Sequence, residues 1–226
     1  MSKRDQGASI QEYLNSGYLP EAVFNFFALL GWSPKDDQEI FSMTEIIERF
    51  SVDGVNRSGA KFDITKCQWF NQQYLANLTP EDFAQAAKPF VQASSLPTED
   101  LYPQRAATIQ SKVSTLNEVA PMIAFYTQSD YPFCPQALDK IKSNPQVIPL
   151  LSSLHETWSG LSSWSEAKAS IGSTAKNNGA KPGQLMFPVR VALSGASGGP
   201  DLGEMIALLG QQECLKRLER TLQVLS

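Results

Sequence analysis

Apolar positions recur with helical spacing over most of the chain. Residues 23–30 are apolar on nearly every face, which is typical of a buried helix. Residues 214–225 instead show the pattern of an amphipathic helix, with cysteine and leucine side chains on one face. The charged residues of this segment are expected on the opposite face: Lys216, Arg217, Glu219 and Arg220.

Helix start signals support this interpretation at two places. Ser42 and Glu45 form an S-x-x-E capping box ahead of an apolar segment. Thr79 precedes Pro80 and two acidic residues, the pattern of a helix with a capped first turn. Two short segments, Glu39–Phe41 and Ala60–Ile64, are predicted as extended pieces that pair with each other. We therefore predict a mainly α protein with at most two short strands.

The segment from Lys181 to Gly210 predicts two short helices joined by a loop with few side chains. A helix is expected to start or kink at Pro188, which has no backbone N–H. A second helix is expected from Pro200 to Gly210. The glycines before Pro200 would let another molecule approach the backbone closely. The alternative from local chemistry is an ordinary flexible connector between two core helices.

Composition indicates a globular protein that can bury a sizeable core. The chain has 226 residues, 42% of them hydrophobic, and its mean hydropathy is -0.23. The net charge of -4 argues against nucleic acid as a partner, yet residues 163–226 carry seven Lys/Arg against five Asp/Glu. This mildly basic end is compatible with a polyanion, although such asymmetry is also typical of an ordinary solvated surface.

No catalytic constellation or metal site is recognisable in the sequence. The three cysteines are far apart, and with a single histidine a zinc site would be hard to assemble. His155 has no nucleophile in a recognisable setting, so we interpret it as structural. A hydrolase or transferase with its own site therefore lacks support.

The chain also shows no signal for a membrane or for secretion. No apolar run is long enough to span a bilayer, and no apolar stretch follows the charged residues at the N-terminus. Three unpatterned cysteines fit a reducing compartment, so we predict a cytoplasmic protein.

One ordered combination of short motifs is far more specific than any of its parts. Its members are Met1-Ser2-Lys3-Arg4, Gly17–Ala22, Ala28–Ser33, Glu39–Ser42, Phe62-Asp63, Trp69-Phe70-Asn71, Tyr74, Lys181-x-Gly183, Pro188-x-Arg190-x-Ala192-Leu193-x-Gly195, Gly199-Pro200-x-Leu202 and Ala207–Gly210. In this order and spacing the combination closely resembles the carboxyl-terminal half of bacterial glutamyl-tRNA synthetase, over the whole chain.

The resemblance implies three regions. Residues 1–78 correspond to the end of the KMSKR loop and a helical stem-contact domain. Residues 79–134 and 135–226 correspond to two helical subdomains of an anticodon-binding domain. The implied partners are the tRNA for glutamate and an N-terminal catalytic domain that this sequence does not include. The resemblance also implies a monomer and leaves open whether the tRNA for glutamine is a second partner.

The resemblance assigns Lys3 and Arg4 to the phosphates of ATP, with Lys3 as the catalytic cation of an incomplete site. Charge that develops on leaving phosphates is stabilised by such cations. The complete enzyme uses ATP with magnesium, and no cofactor is expected to bind this chain alone. Because the HIGH-type motif is not in this sequence, we expect the isolated chain not to form glutamyl-adenylate.

The resemblance assigns five residues to the tRNA anticodon: Lys112, Arg190, Gly199, Pro200 and Leu202. Lys112 falls where some family members have an arginine that reads the third anticodon base. Lysine lacks the planar fork of arginine, so discrimination between glutamate and glutamine anticodons is in question. A stand-alone helical RNA- or protein-binding module derived from such an enzyme is the alternative function.

Overall fold

The computed structural model of the protein describes residues 9–56 and 62–226. The described residues form twelve α-helices, joined by loops and short 3₁₀ turns, and contain no β-sheet. The mainly α prediction is therefore confirmed. The helices are α1 (Ile10–Asn15), α2 (Pro20–Gly31), α3 (Met43–Arg49), α4 (Ile64–Asn77), α5 (Pro80–Ala93), α6 (Tyr102–Ala107), α7 (Val119–Ile123), α8 (Pro135–Lys142), α9 (Val147–Ser159), α10 (Ala167–Asn177), α11 (Pro182–Ser194) and α12 (Leu202–Leu225).

The predicted helix starts are found where the sequence signals them. The Glu45 N–H donates to Ser42 Oγ at 3.2 Å, and the Ser42 N–H donates to Glu45 Oε2 at 2.7 Å, which completes the capping box of α3. Thr79 Oγ1 accepts from the Asp82 N–H at 3.1 Å at the start of α5. Local side-chain chemistry is enough to place these two helix ends.

The predicted pairing of two short strands is wrong. Glu39–Phe41 is not a strand, and Ile64 already belongs to α4. Residues 60 and 61 lie outside the described part of the chain. The one β-bridge in the described residues joins Trp32 to Val55 in antiparallel fashion. The Phe41 N–H instead donates to the Asn25 side chain at 2.9 Å, so a buried amide takes the place of a strand partner.

The chain divides into two compact units between Ala120 and Pro121. In the first unit α2 packs on α4 and α5 packs on α6. Its core contains a cluster of aromatic rings in edge-to-face contact, a geometry that aromatic pairs favour. The cluster includes Tyr13, Tyr18, Phe26, Phe62 and Phe70. The division into residues 1–78, 79–134 and 135–226 stays a prediction.

In the second unit α9, α10, α11 and α12 pack against one another around the fully buried Trp158. Its indole N–H donates to Ser170 Oγ at 3.0 Å. Gly210 interrupts α12 with a φ of 74°, in the left-handed region that favours glycine, so the expected break at Gly210 is confirmed.

The expected polar face of the last helical segment is partly wrong. Arg217 is buried, on the same stripe as Cys214, Leu218 and Thr221 at i, i+3, i+4 and i+7 spacing. Leu222 is only half-buried. An arginine in the buried stripe requires hydrogen-bond partners in the core, and these are found on segments remote in sequence.

Candidate nucleic-acid interface

The candidate interface of the second unit is built on α11. This helix begins at Pro182, which follows a turn at Gly179 with a φ of 71°. It then continues through Pro188. Of the two alternatives expected at Pro188, a helix start is therefore wrong, and a kink stays a prediction. Pro188 is buried among the packed helices. Proline removes one hydrogen bond of this helix, and the helix packs against α10 and α12, the kind of tertiary contact that supplies most helix stability in proteins.

The loop after α11 is fixed at both ends. Gly195 ends the helix with a φ of 73°, and a Cβ there would lie 2.2 Å from the Pro132 carbonyl oxygen. Any other residue at this position would require the backbone to move. Asp201 caps α12, with its Oδ1 accepting from the N–H groups of Gly203 at 2.8 Å and Glu204 at 3.3 Å. The second helix therefore begins at Leu202, two residues later than predicted.

Arg190 connects α11 to the end of this loop. Its Nη1 donates to the Pro200 carbonyl oxygen at 2.7 Å, and a Cβ on Gly199 would lie 3.9 Å from the same nitrogen. Leu202 and Arg190 line one cavity. The structure thus brings together Arg190, Gly199, Pro200 and Leu202, four of the five residues predicted for the anticodon.

The cavity beside Arg190 has a volume of about 340 Å³ and includes residues that the sequence prediction missed. Met186 and Phe187 lie four and three residues before Arg190 and therefore share its face of α11. Met186 is 40% exposed. Helical spacing from Arg190 would have found these two residues. Lys168 also lines the cavity, but it comes from α10 and no sequence signal connects it to Arg190.

The lysine side chains beside this cavity, Lys168 and Lys140, are exposed. Lys168 Nζ lies 2.9 Å from Asp201 Oδ1, and both side chains are more than half exposed. The hydrogen bond from Lys168, together with two backbone N–H groups, lowers the pKa of Asp201 below its usual value. Exposed ion pairs contribute little stability, so Lys168 can exchange its partner for a phosphate at small cost. Lys140 Nζ lies 4.5 Å from the centre of the Phe187 ring.

Lys112, Lys3 and Arg4 are the other residues that the sequence assigns to a site. Lys112 belongs to the first unit, where it ends a 3₁₀ turn and is exposed. Gln110 in the same turn donates to the carbonyl oxygens of Leu75 and Leu78 at 2.8 Å each, which fixes the turn against the end of α4. Lys3 and Arg4 lie outside the described residues.

Other candidate chemistry is sparse in the part of the chain that the structure describes. His155 Nε2 lies 2.9 Å from Glu219 Oε1, an interhelical contact that agrees with a structural role. No group of histidine, cysteine or acidic side chains among residues 9–56 and 62–226 is arranged to hold a metal ion. No helix in these residues has the length and apolarity needed to cross a membrane.

Comparison with known families identifies the class of protein to which this fold belongs. Residues 82–222 match the family described as the anticodon binding domain, and residues 1–69 match the catalytic domain of class I tRNA synthetases of the E and Q type. The first match covers more than half of the chain. The chain therefore belongs to the anticodon-binding-domain family of aminoacyl-tRNA synthetases.

Its relatives are glutamate–tRNA ligases. The chain is 47% identical to the enzyme of Akkermansia muciniphila, over 96% of this chain and 50% of that protein. It is 35% identical to the enzyme of Thermus thermophilus, over 98% of this chain and 48% of that protein. The chain spans about half the length of these curated relatives and corresponds to their carboxyl-terminal half, which confirms the resemblance.

A solved structure gives the same result. The glutamate tRNA ligase from Elizabethkingia meningosepticum, crystallised in complex with its amino acid, superimposes with a TM-score of 0.85 at 30% identity. The superposition covers 95% of this chain and 43% of that protein.

Proposed function

We propose that this chain is the tRNA-binding and anticodon-recognising part of a glutamate–tRNA ligase, the enzyme that attaches glutamate to its tRNA using ATP. The observation that carries the proposal is the position of Arg190. Its guanidinium group lies beside a side-chain-poor loop and bonds the loop backbone at Pro200. This arrangement joins a planar donor group to an accessible backbone, and both can read the edges of bases that have left the stack.

The chemistry around Arg190 suits a single-stranded RNA loop. The Arg190 guanidinium donates one hydrogen bond within the described residues, and it has five N–H donors. The remaining donors are therefore available to a base or a phosphate. Met186 and Phe187 supply apolar surface for base stacking on the same helix face. Lys168 supplies a cation for the RNA backbone.

The other assignments complete the proposal. Lys112 contacts the third anticodon base, and the loop around Gly199, Pro200 and Leu202 contacts the other two. Lys3 and Arg4 bind ATP phosphates, with magnesium, in the complete ligase; this assignment is supported by resemblance alone. The protein is proposed to act as a monomer in the cytoplasm on the tRNA for glutamate.

The proposal is tested by binding of the purified chain to a glutamate tRNA transcript and to the same transcript with an altered anticodon, over a salt series. We expect affinity to fall with salt and to weaken by about 1–3 kcal/mol for each altered base. Arg190→Ala should remove most of this discrimination. Arg49→Ala is the matched control, because it removes an arginine of the first unit that is paired with Asp36.

Arg49→Ala should leave the ratio of the two affinities unchanged even if it weakens binding. Binding that ignores the anticodon would leave only phosphate electrostatics and would reject the assignment of Arg190, Gly199, Pro200 and Leu202. Absence of binding would reject the proposal that these 226 residues carry tRNA affinity.

A further inference from the structure

The end of α11 is held by side chains that are remote in sequence. The last carbonyl groups of a helix have no partner within the helix and are usually bonded by the following backbone or by water. Here the Gly195 N–H donates to the Val191 oxygen at 2.8 Å. The Tyr131 hydroxyl donates to the Ala192 oxygen, and Arg217 Nη1 donates to the Leu193 oxygen at 2.5 Å.

Arg217 and Tyr131 act as one buried pair. Arg217 is 2% exposed, and its guanidinium lies 4.7 Å from the centre of the Tyr131 ring. Its other donors bond Glu213 Oε1 and the Phe125 carbonyl oxygen, each at 2.7 Å. Replacing a buried charge and its partners by apolar residues is often neutral or stabilising. The burial of a charged side chain is therefore weak evidence that its role is to stabilise the fold. We call Tyr131 and Arg217 the exit pair.

The exit pair fixes the direction in which the chain leaves α11. The Cys134 N–H donates to the Gly195 oxygen at 2.7 Å, which ties the first loop residue to the segment that carries Tyr131. Ser194 Oγ donates to the Arg190 oxygen at 2.9 Å and accepts from the Ala196 N–H at 3.3 Å. The loop is short and rejoins Arg190 at Pro200, so a change in its starting direction moves the Pro200 carbonyl relative to the guanidinium.

We infer that Tyr131 and Arg217 are positioning residues for anticodon readout. Both side chains are buried, so they act through the loop and do not touch RNA. Their carbonyl bonds hold the Gly195–Pro200 backbone and Arg190 in the arrangement that meets the bases. Recognition sites need their groups held to within about 0.5 Å, and a loop achieves this only with such support. The inference rests on the proposed function.

The test compares Tyr131→Phe with Tyr102→Phe. Each variant removes one hydroxyl that donates to a helix carbonyl, and the two tyrosines are 2% and 3% exposed. The Tyr102 hydroxyl donates to the Ala84 oxygen at 2.8 Å, and both residues belong to the first unit. The measurements are the melting temperature and the ratio of affinities for the glutamate tRNA transcript and a transcript altered at its first two anticodon bases.

We expect Tyr131→Phe and Tyr102→Phe to lower the melting temperature by similar amounts but to differ in the ratio of the two affinities. Hydrogen bonds to base edges weaken steeply when their geometry is lost, so a shift of the loop should lower the ratio of the two affinities about tenfold in Tyr131→Phe. Tyr102→Phe should keep the ratio of the unaltered chain. Arg217→Lys is the second variant, because lysine keeps the charge but cannot hold both carbonyls. It should lower the ratio as well.

A ratio that is unchanged in both Tyr131→Phe and Arg217→Lys would overturn the inference while leaving the proposed function intact. Equal losses in Tyr131→Phe and Tyr102→Phe would also overturn it, because they would mean that general destabilisation lowers the ratio. Absence of discrimination by the unaltered chain would overturn the proposed function, and the inference with it.

Discussion

The two units of the chain bury polar side chains of different kinds for a similar task. In the first unit Asn71 accepts from the Leu19 N–H at 2.8 Å and donates to the Ser114 oxygen at 2.6 Å. In the second unit Arg217 donates to the carbonyl oxygens of two segments and to a carboxylate. Each side chain joins segments that are remote in sequence, one as a neutral amide and the other as a cation.

The difference follows from what each side chain can satisfy. An amide offers donors and an acceptor, so it can join an N–H to a carbonyl without burying a charge. Arginine offers only donors, and its fork can hold the carbonyls of two different segments while a carboxylate balances its charge. The second unit uses this fork beside the candidate interface, whereas the first unit uses the buried amides of Asn25 and Asn71.

Two arginines of the second unit also differ in their burial and in their hydrogen-bond partners. Arg217 is buried, and its guanidinium donates hydrogen bonds to protein oxygen atoms. Arg190 lies ten residues before the loop end that it bonds and is only half-buried. Burial and partners, and not residue type, therefore separate the arginine that holds the backbone from the arginine that is left for a ligand.

The largest expected effect concerns the two buried thiols, one in each unit. Burial raises the pKa of Cys67 and of Cys214 to about 12, from an ordinary value of 9.0. A raised pKa lowers the thiolate fraction at about pH 8 roughly a thousandfold, and the thiolate is the reactive form. We expect alkylation of both to be very slow in native buffer, as measured by mass spectrometry of the intact chain and its peptides.

Cys134 is the internal control for that experiment, because it is partly exposed. It should react first, and the two buried thiols should react only when their own unit opens. Reaction of Cys67 at the rate of Cys134 in native buffer would show that the core of the first unit is open.

The next effect is a selective destabilisation of the first unit by Asn71→Ala. The change leaves the part-buried Leu19 N–H and Ser114 oxygen without this partner, and an unsatisfied buried group costs about 1–3 kcal/mol. Because the two groups are only partly buried, we expect the free energy of unfolding of this unit to fall by about 2 kcal/mol. Cys67 should then become reactive at a lower urea concentration, while the response of Cys214 stays unchanged.

Asn117→Ala is the matched control. Asn117 is an exposed asparagine of the same unit whose side chain donates to the Asn15 oxygen at 3.3 Å. Its removal should change the free energy of unfolding by less than about 0.5 kcal/mol. Equal effects of the two substitutions would mean that Asn71 does not hold the unit together.

Sequence reasoning predicted the parts of the molecule that local chemistry decides. The capping box at Ser42, the capped start at Thr79 and the break at Gly210 are each set by residues within a turn of one another. The family resemblance was also specific enough to place Arg190 beside the loop at Pro200, because both lie in one short segment.

The features that were missed depend on partners far away in the sequence. Arg217 was expected on a polar face, yet its partner Phe125 lies 92 residues earlier, and no local pattern reports such a contact. Lys168 reaches the candidate site from another helix for the same reason. The strand pairing failed because the Asn25 side chain bonds the Phe41 N–H, which a strand pattern cannot show.

The smallest effect is expected from Lys112→Arg, which exchanges cations in the first unit. Lysine is a point charge, whereas arginine presents a planar fork that can bond a base edge twice. If Lys112 meets the third anticodon base, the arginine variant should sharpen discrimination between glutamate and glutamine anticodons by about 1 kcal/mol, near the lower end of what a bidentate contact contributes. Affinities for two transcripts that differ only at that base measure the effect.

Lys176→Arg makes the same exchange at an exposed position of α10 in the second unit and should leave both affinities unchanged. The two units would then divide the readout, with the first unit selecting the third base and the loop beside Arg190 selecting the others. A different outcome would contradict this division: Lys112→Arg could leave unchanged the ratio of affinities for the two transcripts that differ at the third base, while Arg190→Ala alters it. All anticodon selectivity would then belong to the second unit, and the exposed cation at Lys112 would contribute only charge.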